Sequence, residues 1–190
     1  MLNTAVYLAR PGADVDYVTA LGDDAWSAEM LASWQTEGVG TVLVHCIPGA
    51  LLGLYIIQTG PNGERQFLHW RDSAVARRLF DHLEPAALDA HGVLHVSGIT
   101  LSIYDDAARV VLLAALDTAR ARGTWVVFDT NFRPRGWPDP AWAQALYAAL
   151  FARASIVLAS TDDLGLLYGP GGRAMLLKSP FEKSSVCDPA

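Results

Sequence analysis

Apolar and polar positions alternate between helical and extended spacing along the chain. Residues 3–10 open inside a helical pattern. Residues 17–21 form a short apolar run that predicts a buried strand. Asp23 or Asp24 can then cap a helix reaching about Glu37, with Trp26, Met30, Leu31 and Trp34 at helical spacing and Gly38 as its stop. A short strand is predicted at 42–44. Two alternating runs, 52–58 and 65–71, flank Gly60-Pro61-Asn62-Gly63, which predicts a hairpin. Symmetry about Asn62 pairs Tyr55 with His69. After residue 92, apolar strands at 93–96, 125–128 and 156–158 are separated by helical stretches at 105–122 and 141–153. That order implies an α/β fold with a parallel sheet covered by helices. Residues 178–190 are polar and without period.

Composition narrows the picture. The 190 residues carry a net charge of −6, and 52% are hydrophobic. Such a chain can bury a core, and it lacks the basic run that a nucleic-acid or anionic-membrane surface requires. No apolar run approaches the ~18 residues of a membrane span. Two cysteines, Cys46 and Cys187, cannot form a disulfide framework. With no secretory signal legible at the start, the expectation is a cytoplasmic globular protein.

Ligands of open parallel sheets bind outside the carboxyl ends of the strands. Three such ends are readable: Ser97-Gly98, the run from Asp129 to Pro134, and Ser160-Thr161-Asp162-Asp163. If 129–133 is extended, Asp129, Asn131 and Arg133 point to one side. Arginine suits a carboxylate or phosphate through its paired donors. The alternative is an Asp–Arg pair that only fixes the loop, and the residues alone do not choose. On the hairpin, Phe67, His69 and Arg71 share a face, with Tyr55 opposite His69. That face could hydrogen-bond a small anion, or could simply face solvent. Cys46 is expected to be buried and His95 to lie in the core or at a strand end. Asp105-Asp106 and Asp162-Asp163 read as acids at helix starts.

The sequence resembles the ribokinase-like (PfkB-type) sugar kinases. Asn3-Thr4-Ala5 is followed after six residues by Gly12 and after nine more by Gly22, the spacing of the family's amino-terminal signature. Leu2 to Arg10, Tyr17 to Gly22, Gly53-Leu54-Tyr55, Trp70-Arg71-Asp72 and Phe128 to Arg135 look like the branch that acts on 2-keto-3-deoxygluconate. The resemblance spans about residues 2–177. It implies a ribokinase-like three-layer fold with a mostly parallel sheet, in a partial domain over 1–177, with a small β lid at about 52–71 and a divergent tail at 178–190.

Roles follow from the resemblance residue by residue. Asn3 matches a sugar-contacting asparagine. Tyr55, His69 and Arg71 match lid positions that touch substrate, with Arg71 on the carboxylate of a sugar acid. Arg133 matches an arginine near substrate and the transferring phosphate. Ser160 and Asp163 match the family's N-x-x-E segment, which organises magnesium and phosphate, so Asp163 is an indirect metal contact. ATP and Mg²⁺ are the implied cofactors, and a homodimer through the lid is the implied assembly. His69 stands where the family usually has tyrosine, and Ser160 and Asp163 replace Asn and Glu. The glycine pair before Asn3 and the Gly-Ala-Gly-Asp segment that supplies the general base do not occur in these residues. The resemblance therefore implies negligible turnover by this chain alone and no productive nucleotide binding. A non-catalytic sugar-acid binder, or a kinase for a neutral sugar such as fructose, are the competing expectations.

Overall fold

The structure is a computed structural model, and it describes residues 1–172. The end of the resemblance, to residue 177, and the polar tail at 178–190, with Cys187, lie outside the described residues. The chain divides into two units, Met1–Glu84 and Pro85 onward.

In the first unit, α1 (Leu2–Ala9) lays Ala5 and Ala9 against Leu21, Trp34 and Val39. Small residues on α1 let its backbone approach that core closely. Asp24 caps α2 (Ala25–Thr36) by accepting from the backbone N–H groups of Trp26 and Ser27. Of the apolar residues expected along α2, Trp34 is fully buried, and its ring meets Tyr17 edge-on at 5.2 Å. Trp26 instead lies exposed in the first turn. Gly38 ends the helix region at φ +79°.

Strand β1 (Thr19–Leu21) pairs in parallel with β2 (Val44–Cys46), Thr19 opposite Val44. This places β2 two residues later than its apolar pattern predicts. Cys46 is consequently exposed, not buried. The hairpin joins β3 (Leu54–Thr59) and β4 (Arg65–Trp70) in the expected register, Tyr55 opposite His69.

The second unit holds a three-stranded parallel sheet in the order β5 (Val93–Ser97), β6 (Trp125–Asp129), β7 (Ile156–Leu158). Helix α3 (Gly98–Ile103) follows β5 without a loop, an element the pattern does not predict. Asp105 caps α4 (Asp106–Ala121), and Asp139 caps α5 (Pro140–Phe151), with proline in its first turn. Ser160 caps α6 (Thr161–Tyr168). Phe128 and Tyr147 are fully buried, and their rings meet edge-on at 5.3 Å. Phe151, Phe132 and Trp137 extend this aromatic cluster. Each such ring contributes about 2–3 kcal/mol by burial.

Candidate functional site

The sequence-predicted residues fall into two clusters and one isolated position. Asn3 lies exposed in the first turn of α1.

The first cluster is on the hairpin. Alternation puts Tyr55, Ile57, Phe67 and His69 on one face. The Phe67 and His69 rings stack at 6.1 Å, and Tyr55 sits 6.0 Å from His69. Arg71, one residue past β4, holds its guanidinium 6.0 Å from the centre of the Tyr55 ring. A phenol, an imidazole and a guanidinium therefore share one side of the ribbon. The guanidinium is steadied by a ring face, which leaves its N–H fork available to a carboxylate.

The second cluster lies at the carboxyl ends of β6 and β7. Asp129, Asn131, Arg133, Leu158, Ala159, Ser160 and Asp163 line an open hollow of about 490 Å³. The three residues from the β6 loop do reach one hollow, but not by extended alternation. Asn131 has φ +31°, in the left-handed region. Its side-chain amide donates to Ser97 Oγ at 3.2 Å, and Ser97 Oγ donates to Asp129 Oδ2 at 3.2 Å. That side-chain bridge between strand ends supports the turned backbone, and a strand period cannot reveal it.

On the β7 side, Ser160 Oγ accepts from the Asp163 backbone N–H at 3.0 Å. Its role is a helix cap. The Asp163 carboxylate is buried: Oδ2 accepts from Thr130 Oγ1 at 2.8 Å, and Oδ1 lies 3.5 Å from Arg133 Nη1. Thr130 and Tyr147, which the sequence reading passes over, tie this rim together. Tyr147 donates its hydroxyl to the Thr130 carbonyl at 2.7 Å. Burial, reinforced by Asp163 and Asp129, raises the pKa of that hydroxyl above the usual phenol value. Burial lowers the pKa of His95 on β5, against the opposing pull of Asp129.

The donor set does not suit a directly bound metal. Among the described residues no three His, Cys, Asp or Glu side chains gather to hold one. One Asp163 oxygen is held by the Thr130 hydroxyl, and a guanidinium stands beside the other.

The model of the family described as pfkB family carbohydrate kinase matches residues 1–179. A 2-dehydro-3-deoxygluconokinase of Dickeya dadantii is 42% identical over 176 residues, covering 88% of this chain and 57% of that protein. The chain thus spans little more than half the length of that relative. A crystal structure of fructokinase with bound ATP from Xylella fastidiosa superposes with TM-score 0.83 at 27% identity, covering all of this chain and 60% of that one. The 2-dehydro-3-deoxygluconokinase of Thermotoga maritima shares the fold, with TM-score 0.83 at 21% identity over 96% of this chain and 60% of that one.

Proposed function

Because the chain belongs to the pfkB family of carbohydrate kinases, we propose that it carries the sugar-acid grip of an ATP-dependent kinase for 2-dehydro-3-deoxygluconate, forming the 6-phosphate. One observation carries the choice of an acidic substrate: Arg71 lies over Tyr55 on the same hairpin face as His69. Arg71 binds the substrate carboxylate through its paired N–H groups. Tyr55 and His69 offer hydrogen bonds to the sugar hydroxyls, and Asn3 adds an amide. In the second unit, Arg133 supplies positive charge to an anion in the hollow, such as the phosphate that is handed over.

In the complete enzyme, ATP with Mg²⁺ would supply the phosphoryl group. Asp163 and Ser160 act on them only indirectly, because Asp163 Oδ2 is held by Thr130 and Ser160 Oγ caps α6. The same hairpin's other face, which carries Leu54, Ile56, Leu68 and Trp70, is where a second copy pairs.

The test is calorimetric titration of the 190-residue chain with 2-dehydro-3-deoxygluconate and, separately, with fructose. The sugar acid is expected to bind, and fructose to bind at least about tenfold more weakly. Arg71→Ala removes that preference. Equal or tighter binding of fructose overturns the reading, and so does failure of the chain to bind either sugar.

A further inference from the structure

We infer that Thr130 is a positioning residue: its hydroxyl occupies one oxygen of Asp163 and so keeps Arg133 open to an anion in the hollow. The inference deepens the reading of Arg133 as an anion grip and rests on it.

Thr130 is itself held on three sides. It is 1% exposed. Its backbone N–H donates to the Leu158 carbonyl at 2.8 Å, and its carbonyl accepts from Tyr147. Its hydroxyl, at 2.8 Å from Asp163 Oδ2, is therefore a fixed donor. The carboxylate it engages has its other oxygen 3.5 Å from Arg133 Nη1.

That is a long contact for such a pair. Charge-assisted N–H···O bonds run about 2.7–2.9 Å. The chain makes such bonds elsewhere: Arg10 grips Glu37 at 2.7 and 2.9 Å, and Arg153 grips Asp117 at 2.8 Å through two nitrogens. Arg133 instead gives its short bond, 2.7 Å, to the Phe132 carbonyl, and its side chain stays 58% exposed. Asp163 therefore sits beside Arg133 without closing on it.

Removing the hydroxyl changes that balance. A buried carboxylate oxygen left without a donor is costly. The cation beside it is Arg133. The carboxylate then turns onto the guanidinium, forms the short pair, and withdraws Arg133 from the hollow.

The experiment reads Arg133 directly. The full chain is labelled with phenylglyoxal, and the rate at Arg133 is followed by mass spectrometry against exposed Arg65 as the internal reference. Thr130→Val is expected to slow labelling of Arg133 about tenfold with Arg65 unchanged. Thr130→Ser, which keeps the hydroxyl, restores the wild-type rate. Adding Asp163→Asn to Thr130→Val also restores it, because no carboxylate remains to pair. If Thr130→Val does not unfold cooperatively, Thr130→Ala removes the same donor and carries the same expectation. Unchanged Arg133 labelling in a folded variant that lacks the hydroxyl overturns the inference, and so does slow labelling that Asp163→Asn fails to relieve.

Titration of wild type with inorganic phosphate separates this inference from the one beneath it. Slowed labelling in Thr130→Val without phosphate binding by wild type upholds the positioning role and removes the anion grip. Unchanged labelling with normal phosphate binding does the reverse.

Discussion

Tyr147 is the residue that holds Thr130, which lies between the hollow-lining Asp129 and Asn131. It is fully buried, donates to the Thr130 carbonyl, and touches Phe128, Phe132 and Trp137 edge-on. A Cβ at residue 98 would run into its hydroxyl and into the same carbonyl, so Gly98 is required by close approach. Folding raises the pKa of the Tyr147 hydroxyl from its ordinary 10.0. Above pH ~10 the unfolded chain therefore loses a proton that the folded chain keeps. The unfolded state then binds fewer protons, and stability falls as pH rises through that window until the folded group also titrates. Tyr147→Phe is expected to cost about 1–2 kcal/mol at pH 8 through the orphaned carbonyl. It is also expected to flatten the alkaline loss of stability in urea unfolding curves taken from pH 8 upward. Tyr17 and Tyr168 are raised by burial as well and remain in the variant, so the comparison isolates residue 147. Parallel alkaline limbs for wild type and variant would refute the assignment.

Among the elements, α4 is fastened to the β6–α5 connection by one cation. Arg109 is buried, with its guanidinium 4.0 Å from the Trp142 ring centre and 5.6 Å from that of Trp137. Its Nε donates to the Leu101 carbonyl at 2.9 Å, and Nη1 pairs with Asp106 at 3.0 Å. Trp137 has its own indole N–H buried without a hydrogen-bond partner, so the ring is held by stacking. Arg109→Ala is expected to destabilise the chain by about 2–4 kcal/mol in urea, followed by tryptophan fluorescence. Arg109→Lys should recover only part of this, since an ammonium cannot stack as a plane; full recovery would show that charge alone matters.

Helix α4 itself is legible in the sequence, from its Asp105 cap to Gly123. Its cation lies on the helix face that periodicity assigns to packing, and what packs there is aromatic and distant in sequence. The hairpin's register is legible to the residue, because period two and a Pro-Asn-Gly turn fix it locally, while its first strand starts two residues later than the pattern predicts. β2 is displaced because its position follows its pairing with β1, which no local pattern encodes. The expected sharing of the hollow by Asp129, Asn131 and Arg133 holds, yet its geometry depends on Ser97, thirty-four residues from Asn131. Thr130 stays hidden for a related reason: a threonine at a strand end looks ordinary until its hydroxyl partner is known.

At the scale of the whole molecule, the hairpin carries a dense group of exposed large apolar side chains among the described residues. Leu54, Ile56, Leu68 and Trp70 are all exposed, and the cross-strand pairs Leu54–Trp70 and Ile56–Leu68 gather them on one face. A two-stranded ribbon is marginal in water unless a face is covered, and a contiguous apolar patch favours association. A second copy offers the same face and can cover it symmetrically. Sedimentation velocity is expected to show concentration-dependent dimerisation of the chain. Ile56→Lys with Leu68→Lys places charges at the centre of the patch and should return the chain to monomer. Tyr55, His69 and Arg71 occupy the opposite face, so sugar-acid binding should survive in that double variant. Trp125→Lys, at an exposed position on β6, is the control and should leave association unchanged. A chain that is monomeric throughout, or whose association responds to residue 125 and not to residues 56 and 68, would show that the ribbon is not the interface. In that case its apolar face must be covered within a single copy.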